Sequence, residues 1–367
     1  MRHDFPDKGN YPAFKRMETE GIRADRMTPV AQPNTFPGHV SLATGTTPDI
    51  HGIVDNVFYD REKGTYIYSS EADWINAEPL WVASERQGIK TATYFWVGSE
   101  TDWRGQGTSY RMAPFDNDRE ESEKVDKIIE RLDLPEADRP GLIMSYWRGA
   151  DSVVHMKGPE HPDVAATIQE QDLELGRLIA ALDERDRWSS TTLVIVSDHG
   201  MTEVSESFPL KQTFEEAGLE VRITGGSSGR HLFLESESDR VEVLGVLATL
   251  DHISIHQGQD VPLAMRAENC TGDIVLTTTP PYTFSGADSL FEKAVVAIGS
   301  ILGWKHGAHG FDAQLEDMGA IFFAMGRGVT AGKPMKDIHQ LDVAPTVTKL
   351  LGIEKPLMAI RDGVSLE

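Results

Sequence analysis

Two short apolar runs, each followed closely by an acidic residue, do most to limit what this chain can fold into. Residues 141–146 (GLIMSY) precede Asp151, and residues 192–197 (TLVIVS) run straight into Asp198-His199. Between them, 161–187 places Val164, Ile168, Leu175, Leu178, Ile179 and Leu182 at helical spacing, the mark of an amphipathic helix. Runs that are apolar at every position suit strands covered on both faces. The strand–helix–strand order predicts an α/β fold with a mostly parallel central sheet sandwiched by helices. In such sheets ligands bind beyond the carboxyl ends of the strands, which is where both acidic groups fall.

The rest of the chain fits around that centre. A helix is expected over 11–23, with Pro12 near its start and Gly21 as its stop, and a second over 79–87, closed by Gly88. Brief strands are expected at 66–68 and 90–96, and a charged, exposed helix and loop over 115–139. The α/β pattern resumes with a strand at 319–325 (GAIFFAM) and ends with a helix over 340–351 that Gly352 stops. Residues 203–301 have a different character: short strands and glycine-rich turns with no long apolar strand. They read as an inserted α+β cap, leaving 1–202 and 302–367 as the core.

A length of 367 residues suffices for one large domain with such an insertion. The net charge of −23 disfavours a nucleic-acid polymer as partner, while a small phosphate compound is still compatible wherever cations reverse the local field. The single cysteine, Cys270, excludes intrachain disulfides. No apolar run reaches the length of a membrane span, and the charged N-terminus has no signal-like segment. The expected location is the cytoplasm, with an export signal in an upstream segment left open. Nothing in the composition fixes the oligomeric state.

Three segments supply metal-type ligands: Asp151 and His155 in ADSVVHMKGP, Asp198 and His199 in SDHGM, and His309 in HGAHGFD. Carboxylate oxygen and imidazole nitrogen suit zinc or a similar divalent ion, and two such ions can clamp both oxygens of an in-line phosphoryl displacement. Upstream, Thr35 sits between Pro33-Asn34 and Phe36-Pro37 at the start of a short helix-like run. A hydroxyl at a helix start is usually a cap, but helix starts also gather backbone N–H groups around an anion, as a hydroxyl nucleophile attacking phosphorus requires.

With these motifs in place, the chain resembles the alkaline phosphatase superfamily, and within it the nucleotide pyrophosphatase/phosphodiesterase (type I phosphodiesterase) family. The matching segments are Thr35-Phe36-Pro37, the run from Thr44-Gly45 to Ile53, Asn56, Phe95-Trp96-Val97-Gly98-Ser99, Ser197 to Met201 and Gly307 to Phe311. The resemblance implies a metal-dependent phosphohydrolase with an alkaline-phosphatase-like fold, acting on a small phosphate ester through two divalent ions, zinc foremost. It implies that Asp151, His155 and His309 hold one ion and Asp198 and His199 the other. Thr35 is then the nucleophile that becomes phosphothreonine, Asn56 a stabiliser of phosphoryl charge, and Phe36, Tyr146 and Trp96 the substrate-facing aromatics. Cap cations such as Lys211, Arg222 or Arg230 are candidates for a second anionic group and equally for plain surface residues.

One departure stands out. The family pattern begins with an apolar strand ending in Asp-Gly, whose aspartate completes the second metal site, and this chain begins at Met1-Arg2-His3-Asp4, just beyond it. That first family strand is therefore absent here, and unpaired strand edges and an exposed core are expected in its place. Two readings stay open: a natural chain that starts upstream, or a relative with one proper metal site. Function is likewise open between phosphodiester or nucleotide pyrophosphate hydrolysis, a phosphomonoesterase or phosphonoacetate-type hydrolase, and a non-catalytic relative.

Overall fold

The computed structural model describes residues 1–284 and 305–367. The core strands are β1 (Ile22–Thr28), β2 (Thr91–Tyr94), β3 (Tyr110–Met112), β4 (Leu142–Ser145), β5 (Thr192–Val196), β6 (Phe322–Gly326) and β7 (Met335–His339). They form two sheets, ordered β7-β1-β6-β5 and β3-β2-β4. The second sheet is wholly parallel. In the first, β1 and β7 are parallel, and β6 runs against both β1 and β5. The architecture is the expected α/β one, but in place of a single, mostly parallel central sheet there are two sheets, and two of the three pairings in the four-stranded sheet are antiparallel.

The two-sided covering explains the apolar runs residue by residue. Side chains alternate across a strand, and β6 sends Phe322 and Ala324 to one face, Phe323 and Met325 to the other. Its neighbour β5 does the same, with Val194 and Val196 on the first side and Leu193 and Ile195 on the second. The first face is covered by helices Thr35–Thr44 and Val343–Leu351 through Val40, Leu42, Val343 and Ala344. The second is covered by helices Pro12–Thr19 and Pro162–Glu184 through Phe14, Met17, Ile168, Leu175 and Ile179.

Several elements differ from the sequence expectation. The first helix ends at Thr19, and the chain then enters the central strand β1 at Ile22. The helix Glu121–Leu132 is amphipathic, burying Val125, Ile128 and even Lys124, whose ammonium donates to the Tyr146 carbonyl. Residues 229–278 contribute to a separate antiparallel sheet, in which Gly229–Leu234 pairs with Val221–Thr224 and Ile274–Thr278, over its own core of Phe214, Leu232, Val243, Leu247 and Ile274. The end of the expected cap, 285–301, lies outside the described residues. Among the described residues no helix is long and apolar enough to cross a membrane.

Among the described residues the two core sheets do not join. Strands β4 and β5 each end their sheet, and they face each other across a cavity of about 770 Å³ lined by both. All five residues of β5 are only partly buried, and the cavity between the two edges is lined largely by apolar side chains. Thr35, Asp151 and Asp198 line the same cavity.

Candidate active site

The site is built where β5 ends and the Thr35–Thr44 helix begins. Asn34 precedes that helix in an extended conformation, yet its carboxamide makes no capping bond. It turns instead towards the site. Nδ2 donates to Asp55 Oδ1 at 3.1 Å, and Oδ1 accepts from His309 Nδ1 at 2.9 Å. The Phe36 N–H, in the first turn, donates to Asn56 Oδ1 at 2.8 Å, which leaves the Asn56 amide hydrogens beside the helix start. Thr35 follows Asn34 directly, half-buried, with Oγ1 3.4 Å from His199 Nε2.

The three imidazoles share one arrangement. His155 Nδ1 lies 2.9 Å from the Gly307 carbonyl, His199 Nδ1 2.8 Å from that of Gly200, and His309 Nδ1 2.9 Å from that of Pro33. A carbonyl can only accept, so each Nδ1 carries a proton and each Nε2 is the nitrogen turned to the site. The rings pack together, His309 lying 3.9 Å from His199 and 5.0 Å from His155, centroid to centroid. Asp151 opens the short helix Asp151–Lys157, which carries His155 one turn later. Ligand atoms of Asp151, His155 and His309 all lie within 4.8 Å of one another.

The second group is Asp198, with Oδ2 3.2 Å from His199 Nε2 and 3.5 Å from His39 Nδ1. Burial alone would raise the Asp198 carboxyl, but the imidazoles of His199 and His39 and the nearby N-terminal ammonium hold it well below the usual carboxylate range. His309 is driven the other way: burial and the neighbouring His199 and His155 keep it neutral, the form that ligates a metal. Two residues fix the frame behind Asp198. Gln340 Nε2 donates to the Asp198 carbonyl at 2.9 Å while its Oε1 accepts from the Val30 N–H at 2.9 Å. The Met1 ammonium donates to the His199 carbonyl at 3.0 Å.

The aromatic candidates occupy different settings. Phe36 is half-buried, its ring 5.2 Å from that of Tyr68, an exposed tyrosine with φ of 40°. Tyr146 packs on His39 at 5.2 Å and near Phe115 at 6.1 Å. Trp96 lies under His39 with its indole N–H donated to the His39 carbonyl at 3.2 Å. Of the cap cations, Arg230 donates to the Gly225 carbonyl and acts electrostatically on Asp55, whereas Arg222 lies over the Tyr59 ring. Sequence reading passed over Asn34, His39, Asp55, Tyr68 and Gln340. Only the Asp-Asn pair at 55–56 offers a local signal, and there the family motif singles out Asn56.

Comparison with known proteins identifies a family. A model of the type I phosphodiesterase / nucleotide pyrophosphatase family matches residues 1–312. A Schizosaccharomyces pombe protein named as an uncharacterized pyrophosphatase/phosphodiesterase is 33% identical over 214 residues, 56% of this chain and 44% of that protein. Venom phosphodiesterase 2 of Crotalus adamanteus is 26% identical over 362 residues, covering 94% of this chain and 43% of its own length. The chain thus spans less than half the length of these curated relatives. Among solved structures, murine ectonucleotide pyrophosphatase / phosphodiesterase 5 superposes with a TM-score of 0.85 at 23% identity, covering 97% of this chain and 93% of that one. An inactive threonine-to-alanine form of that murine protein has been solved with AMP.

Proposed function

Because the chain belongs to the type I phosphodiesterase / nucleotide pyrophosphatase family, we propose that it hydrolyses phosphodiester or nucleotide pyrophosphate bonds with Thr35 as nucleophile. One observation carries the reading. Thr35 Oγ1 lies 3.4 Å from His199 Nε2 at the edge of a cluster in which the Asp151, His155 and His309 ligand atoms fall within 4.8 Å. The family is metal-dependent, and the donor set fits a divalent ion: three imidazoles, each with Nδ1 committed to a backbone carbonyl, and two carboxylates. Asp151, His155 and His309 would hold one ion, Asp198 and His199 a second, with zinc the best match to these ligand types. Bound there, the ions supply Lewis-acid stabilisation of phosphoryl oxygen charge and lower the pKa of a coordinated hydroxyl.

The protein groups divide the remaining work. Thr35 Oγ1 forms a bond to phosphorus as the bond to the leaving-group oxygen breaks, giving phosphothreonine. Water then cleaves the Oγ1–P bond, releasing the phosphomonoester and restoring the hydroxyl. Asn56, its carbonyl spent on the Phe36 N–H, has amide hydrogens to offer a non-bridging oxygen, beside the Thr35 backbone N–H. Phe36 and Tyr146 form the walls for a nucleobase, with Trp96 behind them. Residues 203–301 serve as the inserted cap on the core of 1–202 and 302–367. A small nucleotide ester is the substrate class this reading favours, in line with the AMP complex of the murine relative.

The test is turnover of bis-p-nitrophenyl phosphate against p-nitrophenyl phosphate by zinc-loaded protein, with metal content measured. Diester turnover well above monoester turnover is expected, falling by about three orders of magnitude in Thr35→Ala. A Thr35→Ala protein as active as the parent sinks the mechanism, and monoester preference points to the phosphomonoesterase reading.

A further inference from the structure

Asp55 is a buried acid to which the reaction proposed for Thr35 gives no part. It is 3% exposed and stands at the centre of the contacts that shape the nucleophile's surroundings. Its Oδ1 accepts from the Asn56 N–H at 2.6 Å and from Asn34 Nδ2 at 3.1 Å. From these two partners the bonding continues in opposite directions. Asn56 Oδ1 accepts the Phe36 N–H at the start of the nucleophile's helix, and Asn34 Oδ1 accepts His309 Nδ1. One carboxylate oxygen therefore ties together the residue before Thr35, the proposed charge-stabilising amide and a proposed metal ligand.

We propose that Asp55 is a positioning residue for the reaction: its buried carboxylate fixes the Asn56 backbone and the Asn34 carboxamide, and through them the helix start that bears Thr35 and the ring orientation of His309. This inference rests on the roles proposed for Thr35, Asn56 and His309.

A purely structural role fits poorly. Asp55 Oδ2 is buried and makes no hydrogen bond of ordinary geometry, and leaving a buried polar atom unpaired is costly. The surroundings of the carboxylate are all donor: the Asn34 amide, the Asn56 N–H, the backbone of Gly226 and the charge of Arg230. An asparagine there would keep an acceptor for Asn34 and Asn56 but turn its own amide hydrogens on the remaining donors. An alanine would leave the Asn34 carboxamide and the Asn56 backbone N–H without their shared acceptor. The orientation of the Asn34 carboxamide, and the placement of the Asn56 backbone from which its side chain reaches the Phe36 N–H and Tyr68, therefore depend on this oxygen. His309 retains the Pro33 carbonyl at 2.9 Å as a second acceptor, so its orientation should loosen and not be lost.

The experiment compares parent, Asp55→Ala, Asp55→Asn and Asn34→Ala, each zinc-loaded, for kcat and KM on bis-p-nitrophenyl phosphate, for zinc affinity by chelator competition, and for Tm. Asp55→Ala should lose about a hundredfold in kcat with KM within about threefold. Its zinc affinity should fall about tenfold, and so should that of Asn34→Ala. Asp55→Asn should recover most of the lost kcat, and no variant should show a collapse in Tm that accounts for its loss. Parent-like kcat and zinc affinity in Asp55→Ala overturn the inference, as does a loss of kcat that only tracks unfolding. If Asp55→Ala does not fold, Asn34→Ala decides: weakened zinc binding at parent-like Tm supports the network, and unchanged binding overturns it. Thr35→Ala separates the two levels. An active Thr35→Ala removes the mechanism itself, whereas an inactive Thr35→Ala beside a fully active Asp55→Ala removes only the role given to Asp55.

Discussion

Every imidazole in the cluster gives its Nδ1 proton to a backbone carbonyl, so the polypeptide, before any ion or substrate arrives, has fixed which nitrogen faces inward. The aromatic wall is less constrained. Phe36 touches Tyr68 and Tyr66 edge-on, at 5.2 and 6.2 Å between centroids, and is half-buried. If it stacks a nucleobase, Phe36→Ala should raise KM for a nucleoside 5′-diester about tenfold, from the ~1–3 kcal/mol that base stacking contributes, while leaving kcat within a few-fold. A methyl p-nitrophenyl diester, which has no base, should be little affected. Equal effects on the two substrates would remove the stacking role. At this scale the sequence was legible wherever a ligand-type residue closes an apolar run, as Asp198-His199 does. Asn34, Asp55 and Gln340 carried no such signal, because their work depends on partners such as His309 and Asp198 that only the fold brings near.

The Thr35–Thr44 helix shows how tightly one element must sit. Gly38 faces the end of β5, and a Cβ placed there would come within 2.9 Å of Asp198 Cβ and 3.2 Å of Gln340 Nε2. Alanine gains about 1 kcal/mol of helix propensity over glycine, but overpacking costs about 1–3 kcal/mol, and here the neighbour is the stem of a proposed metal ligand held by Gln340. Gly38→Ala should therefore lower Tm and reduce diester turnover. Gly245, within helix Arg240–Leu247, offers the control, since nothing lies within 4 Å of its Cβ position. Gly245→Ala should raise stability by about 0.5–1 kcal/mol without touching turnover. Both effects are read by thermal melts and initial rates, and a stabilised Gly38→Ala would contradict the close crossing. Element placement was legible for β5 and β6, whose residues are apolar on both faces. It failed for β1, IRADRMT, whose Arg23 and Arg26 look like surface residues. In the fold Arg23 pairs with Asp7, and Arg26 caps the carbonyls of Ala313 and Leu315, so a charged heptapeptide fills a central strand.

Across the whole molecule, buried titratable groups set opposing pH dependences whose balance can be worked out. His51 is buried against Ser41 and pushed down to about 3, and His231 is pushed down to about 4, both chiefly by burial. An imidazole whose folded pKa lies below its unfolded value stays neutral in the fold while the unfolded chain takes up a proton. The stability it contributes is present above about pH 6.5 and drains away as pH falls towards the folded value. Between pH 6.5 and 5 this amounts to about 2 kcal/mol for each residue. Asp55 opposes it: burial pushes its carboxyl up to about 6, so the fold binds a proton there before the unfolded chain does and regains roughly 1–1.5 kcal/mol by pH 5. Together these three groups should cost about 2–3 kcal/mol of stability between pH 7 and 5, and His339, also pushed down to about 4 chiefly by burial, adds to the loss, so Tm should fall across that range. Asp55→Asn, which cannot regain that proton, should fall more steeply than the parent from whatever Tm it has at pH 7. A Tm that holds level from pH 7 to 5 would mean the two histidines are not buried neutral, and equal slopes for parent and variant would mean Asp55 does not titrate in that window. The β4–β5 cavity adds to the expected sensitivity, because a sheet divided by an apolar gap has less burial with which to offset any charge that acid brings into the core.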